Sequence, residues 1–177
     1  IYGEHAYQPV GDNMVAVKAT AGKADFDQWG RIAREIAKAG LPLNQHATLV
    51  DSIDGVRDQI EQINKDIPVK NLRWSLIHLD QLTPAQMERM KTLGMYAGVQ
   101  RRSTIMGAIF HRVHGESADH TPPFKAIQDS GIMWGLGTDA FEVNQYKPFT
   151  TLGFAVTGKM VGGKVVNNQT ISREDAL

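Results

Sequence analysis

The feature that most constrains this chain is an alternation. Short apolar runs with strand character take turns with stretches whose apolar residues recur at helical period, and only a few residues join them. Asp25 or Asp27 is placed to cap a helix on which Trp29, Ile32, Ala33, Ile36 and Ala37 repeat at helical spacing; Gly40 ends it and Pro42 lies just beyond. Leu41 to His46 then reads as a short strand. Asp51 or Ser52 opens the next helix, with Ile53, Val56, Ile60 and Ile63 on one face and Pro68 as its stop. Leu72 to Leu79 is the next strand. Thr83 caps a third helix, with Pro84 at its first position and Met87, Met90 and Leu93 facing inward; Gly94 closes it, and Met95 to Val99 is again strand-like. Strands and helices in this order, with links this short, require parallel strands and right-handed crossovers. An open doubly wound sheet satisfies the pattern, and so does part of a (β/α)8 barrel. In either, functional residues gather at the carboxyl ends of the strands.

Between Gln100 and Pro123 the alternation lapses. This stretch carries Arg101, Arg102, His111, Arg112, His114 and His120, and reads as a long loop of the kind that serves function or closes over a site. Beyond it, Pro123 to Ser130 reads as a short helix and Ile132 to Leu136 as a strand followed by Gly137-Thr138-Asp139. Phe149 to Thr157 has helical character, Gly162 and Gly163 mark a turn, and Ser172 begins a last helix with Glu174 in its first turn. Trp29 and Trp74 fit core positions, and Trp134 fits either core or pocket wall. Gly135-Leu136-Gly137 lacks the third glycine of a dinucleotide-binding turn, and no phosphate loop is present.

Three polar residues stop three apolar strands: His46 after Leu43-Asn44-Gln45, His78 after Trp74-Ser75-Leu76-Ile77, and Asp139 after Leu136-Gly137-Thr138. Strand ends of a parallel sheet share one rim, and in a barrel they converge on its axis. Two imidazoles and a carboxylate suit Zn²⁺ or a similar divalent ion. Such an ion lowers the pKa of a water and polarises a carbonyl, and a neighbouring carboxylate can carry the water's proton to a leaving group. Each residue taken singly also has a plainer reading. A strand-end His is often a structural hydrogen-bonder, and a Thr-Asp after a strand is often the cap of the next helix.

Composition narrows the partners. Lys plus Arg equals Asp plus Glu at 19 each, so no basic excess draws the chain to nucleic acid. Cysteine is absent, which excludes disulfides, thiolate metal sites and a cysteine nucleophile. No apolar run approaches the roughly 20 residues that cross a bilayer. The sequence starts at Ile1 and ends at Leu177 as though cut from a longer one, so the lack of a visible signal peptide leaves the compartment open, with the cytoplasm favoured.

In order and spacing these segments resemble the amidohydrolase superfamily, specifically its amidohydrolase-3 group of metal-dependent hydrolases. The resemblance rests on Gln45-His46-Ala47, on Arg73 through His78, on Gly94 through Gln100, on Gly137-Thr138-Asp139, and on the tail Ile171 to Leu177, and it runs from Trp29 onward. It implies an α/β chain of (β/α)8 TIM-barrel type holding only the later βα units, about strands 4/5 to 8. Residues 1–177 are then a single partial barrel domain, without the first-strand His-x-His pair, the early strands and the small β-domain. It implies His46 and His78 as metal ligands and Asp139 as ligand and general base, with one or two ions. Lys18, in the strand-like Met14 to Lys18, stands where the group often has a bridging lysine, although a solvated surface lysine is the simpler reading. Glu4 and His5 lie too near the start to place. Gln100, ending the seventh strand, should face the site, and Arg102, His111 and His114 are candidates to hold a substrate carboxylate or carbonyl.

The expected function is hydrolysis of a C–N bond, in an amide or cyclic amide, by a metal-activated water, with a small molecule as substrate. The alternatives are an inactive partial barrel that self-associates or binds a ligand without turnover, and an open-sheet ligand-binding module. Open strand edges and an uncovered interior lead us to expect a homo-oligomer.

Overall fold

A computed structural model of the chain describes residues 5–10, 13–139 and 146–177, and of 5–10 and 13–19 the backbone only. Strands β1 (His5–Val10) and β2 (Asn13–Ala19) form an antiparallel pair by themselves. Then follow α1 (Lys23–Lys38), β3 (Asn44–Ala47), α2 (Val50–Asn64), β4 (Ser75–His78), α3 (Pro84–Thr92), β5 (Tyr96–Val99) and α4 (Ser103–His114). A 3₁₀ turn (Gly115–His120) leads to α5 (Phe124–Ser130), β6 (Trp134–Leu136), α6 (Pro148–Thr157) and the short α7 (Arg173–Ala176).

Strands β3, β4, β5 and β6 are parallel and lie side by side in chain order. A doubly wound sheet reverses its strand order at a switch point, and this one does not. Consecutive order is that of a barrel segment. Register sorts the side chains into two layers, because residues paired across strands share a face. One face holds Gln45, Ala47, Leu76, Ala97 and Val99, all buried beneath the helices. The opposite face holds His46, Ser75, Ile77, Tyr96 and Gly98, each half-buried. In a closed barrel that second face looks toward the axis.

The helices dock where the sequence pattern places their apolar stripes. Ala33 and Ala37 of α1, Ile53, Val56, Ile60 and Ile63 of α2, and Met87 and Met90 of α3 are all buried in one core. Their ends follow capping chemistry. Asp25 accepts a hydrogen bond from Gly22 N at 2.8 Å, and Ser52 Oγ accepts from Leu49 N at 3.1 Å. The Thr83 hydroxyl accepts from Gln86 N at 3.3 Å, with Pro84 in the first turn. Gly94, with φ +66°, ends α3; a Cβ there would come within 2.6 Å of Lys70 Cγ and 2.9 Å of its carbonyl oxygen, so the position requires glycine. Trp74 anchors the base of β4, fully buried and donating from Nε1 to Leu41 O at 2.9 Å. Trp134 is half-buried, stacks on Phe124 with centroids 6.1 Å apart, and donates to Gln128 Oε1.

Two expectations change. The stretch after Gln100 is not a long loop: it forms α4 and the 3₁₀ turn. Helix α4 reads poorly because Ile105, Met106, Ala108, Ile109, Phe110 and Val113 spread apolar residues round its circumference, and its N-cap is Arg102, which offers no side-chain acceptor. Lys18 does lie on a strand, but β2 pairs with β1 in antiparallel fashion, Ala6 opposite Lys18, and stands outside the parallel sheet.

Trp74→Ala is expected to cost about 3–5 kcal/mol in urea unfolding, from lost burial and the cavity left behind. Met133→Ala, at a residue 67% exposed, should change stability by no more than about 0.5 kcal/mol.

Candidate metal centre

The parallel register of β3 and β4 sets the first distance in the site. His46 pairs with Ile77, so His78 stands one residue nearer the rim on the neighbouring strand. In regular strand geometry that offset would put the two imidazoles on opposite faces. The backbone at His78 departs from strand geometry, with φ +77°, and Leu79 follows at φ +56°. Left-handed backbone at a non-glycine residue costs on the order of 1–3 kcal/mol and gathers at functional sites. Here it accompanies a close approach: the His46 and His78 rings meet edge to face with centroids 4.1 Å apart. The two chain segments stay joined past the bend, as Leu79 N donates to Ala47 O at 3.0 Å and Gln81 N to Thr48 O at 3.1 Å.

Asp139 arrives from β6 through Gly137 and Thr138. It too has a left-handed backbone, φ +52°, and its Oδ2 lies 3.9 Å from His78 Nδ1. Two donors each about 2.1 Å from one tetrahedral ion stand about 3.4 Å apart, so this spacing is about half an ångström wider than a shared ion needs. The structure therefore gathers all three residues at the carboxyl ends of β3, β4 and β6. Among the described residues, no three His, Cys, Asp or Glu side chains stand close enough together to hold a metal ion as placed. The chemistry of the gathered donors, two imidazoles and a carboxylate, fits a divalent ion.

The other candidates divide. Gln100 follows β5, and its side chain lies against the end of β6: a Cβ on Gly137 would sit 3.5 Å from Gln100 Nε2. The Gln100 Oε1 is buried and accepts no hydrogen bond from the described residues. Arg102 does reach the site region, but its Nη2 is engaged by Asp80 Oδ2 at 2.9 Å and donates to Thr48 Oγ1 at 3.3 Å. His114 is the last residue of α4, which carries it about 16 Å along the axis from Ser103 at 1.5 Å per residue. On the same helix His111 faces Asp119, Nδ1 to Oδ1 3.0 Å. The Lys18 side chain, Glu4 and the His5 side chain lie outside the described residues.

The sequence reading missed Thr48 and Asp80, and it named Arg101 only as part of the stretch after Gln100, without a role. The first two follow His46 and His78 by two residues, and both are buried. A polar residue two places beyond a strand-end His was the available signal. Arg101 is 1% exposed and donates from Nε to Thr151 Oγ1 at 2.7 Å, tying the end of β5 to α6. Burial pushes its pKa below the ordinary arginine value, yet it stays a cation at neutral pH.

Comparison with known proteins bears on this geometry. A model described as the amidohydrolase family matches residues 5–177. No curated protein matches. Among solved structures, the chain is similar to an uncharacterized metal-dependent hydrolase from Pyrococcus horikoshii OT3, with TM-score 0.67 and 21% identity over 92% of this chain and 32% of that one. A second uncharacterized metal-dependent hydrolase, from Pyrococcus furiosus, gives TM-score 0.66 and 19% identity over 92% and 31%. Guanine deaminase from C. acetobutylicum, solved with guanine in its active site, gives TM-score 0.53 and 16% identity over 90% and 37%. The chain spans about a third of the length of these proteins. The shared property is the fold, and the four parallel strands are a portion of a TIM barrel.

Thr151→Ala takes away the acceptor of a buried guanidinium N–H. It should lower stability by about 1–3 kcal/mol in chemical denaturation. A change within the error of the unfolding curve would show that this hydrogen bond holds nothing in place.

Proposed function

We propose a metal-dependent hydrolase, starting from one fact: the chain belongs to the amidohydrolase family. The observation that supports this most directly is the convergence of His46, His78 and Asp139, with the rings 4.1 Å apart and the carboxylate 3.9 Å from one of them. On this reading His46, His78 and Asp139 hold one or two divalent ions, zinc above all. The bound ion supplies Lewis acidity, lowering the pKa of a water and polarising the substrate carbonyl. The chain's own groups do the rest. Asp139 accepts the proton of the attacking water and returns it to the departing nitrogen, so that a C–O bond forms as the C–N bond breaks and the amine leaves neutral. Gln100, its amide at the end of β6, orients the carbonyl of a small amide or cyclic amide.

A second reading is binding without turnover. It draws on the four parallel strands among the described residues, half the number that close a barrel, which leave the far wall of the pocket unsupplied. In either case the edges of β3 and β6 and the half-buried inner face favour self-association of the chain when it is alone in solution. Size-exclusion chromatography should show a species larger than the 19.5 kDa monomer, and a clean monomer peak would remove that part of the proposal.

Metal content after dialysis against Zn²⁺, measured by plasma mass spectrometry, is the first test. Zinc should be retained by the wild-type chain and lost in His78→Ala with modest loss of folding. Equal zinc in both would end the ligand assignment. Asp139→Asn should slow hydrolysis of a responsive amide by about 100-fold or more. Retained zinc without turnover of any amide, cyclic amide or imide favours the second reading.

A further inference from the structure

Past the imidazole pair, a run of polar contacts joins the ends of three successive strands. Thr48, just after β3, is 2% exposed, and its Oγ1 lies 3.1 Å from His46 Nε2. Arg102, after β5, donates from Nη2 to the same hydroxyl at 3.3 Å. That guanidinium nitrogen is also 2.9 Å from Oδ2 of Asp80, a buried carboxylate after β4. We infer that Thr48, held by the Arg102–Asp80 pair, is the positioning group that sets the orientation of the His46 ring at the candidate metal centre.

Donor and acceptor capacity supports this. A guanidinium only donates, so at its contact with Arg102 the Thr48 oxygen must accept. One lone pair and one hydroxyl proton remain for the other contact. The hydroxyl can therefore engage either state of His46 Nε2, donating to a bare nitrogen or accepting from a protonated one, so the contact holds the ring's position in both. The Thr48 backbone is fixed as well. Its N–H donates to Ser52 Oγ at 3.2 Å, and its carbonyl accepts from Gln81 N at 3.1 Å. The contact thus rests on a hydrogen-bonded backbone at one end and, at the other, an ion pair whose carboxylate is buried. A ring so held keeps one rotamer, and partners of this kind change metal affinity by about 10- to 100-fold when removed. In this role Asp80 and Arg102 act through Thr48; neither is placed here to touch substrate.

This inference rests on the reading of His46 as a metal ligand, and its test separates the two. Thr48→Val keeps the shape and removes the hydroxyl; Thr48→Ser restores it. In the metal-free protein, side-chain couplings and ring NOEs of His46 should report one dominant rotamer in the wild type, averaged rotamers in Thr48→Val and in Arg102→Gln, and recovery in Thr48→Ser. Zinc affinity by calorimetry should fall about 10- to 100-fold in Thr48→Val and recover in Thr48→Ser. If the His46 couplings and NOEs respond as described but the wild type binds no zinc, the positioning role stands and the metal reading fails. If they are the same in wild type and Thr48→Val, the positioning role is overturned, whatever the metal does. Unfolding curves for Thr48→Val and Arg102→Gln, compared at equal helix content, exclude a collapse of the fold as the cause.

Discussion

The parallel pairing of β3 with β4 is the constraint on which the site depends. It places His46 and His78 on adjacent strands with a one-residue stagger. A stagger of one would normally separate the two side chains across the sheet, because successive residues point to opposite faces. The left-handed backbone at His78 and Leu79 bends the strand end at the point where this would happen, and the rings meet. A local conformational cost therefore becomes a contact between two potential ligands. The same device recurs at Asp139. Two of the three candidate ligands are thus held in unfavourable backbone, which the surrounding pairing must over-determine.

That over-determination is visible in the hydrogen bonds beyond the strand ends. The carbonyls of Ala47 and Thr48 accept from Leu79 N and Gln81 N, so the two segments continue side by side after the regular ladder stops. Asp80 is carried inward by this extension and meets Arg102 from the next unit. Connections from three βα units are tied above the sheet by groups that contribute nothing to the apolar core. Below them the core is conventional: helices α1, α2 and α3 bury Ile, Val, Ala and Met against the outer face of the strands. The division of labour is clear. Apolar packing holds the scaffold, and the polar ties aim the rim.

Most of the scaffold was legible in the sequence. Helical period, Thr83 with Pro84, the Gly94 stop and the apolar strands each have a direct physical signature. The choice between an open sheet and a barrel segment did not, because it depends on strand order, which periodicity does not encode. Helix α4 was hidden by its own hydrophobicity: with apolar residues round most of the circumference and an arginine at its N-cap, it has neither a stripe nor a capping acceptor. The site was legible as residues but not as geometry. His46, His78 and Asp139 stand out as polar stops to apolar runs, whereas the bend that unites the first two is a backbone property that neither His nor Leu announces. Thr48 and Asp80 went unread because a threonine or aspartate just past a strand is usually a cap or turn residue. Only the three-dimensional approach of Arg102 gives them another role.

The inner face of the sheet carries the argument one step further. Its strand positions alternate with the buried outer ones and differ widely in size and polarity: Ser75 and Ile77 on β4, Tyr96 and Gly98 on β5, and Gly135 on β6. Gly135 is exposed, and a Cβ there would meet nothing within 4 Å among the described residues. In a fully packed barrel, layers of branched apolar side chains occupy this region. The four strands supply one wall of such an interior, with the imidazole pair, Gln100 and Asp139 at its rim, so the polar ties above the sheet fix the rim whatever completes the wall opposite.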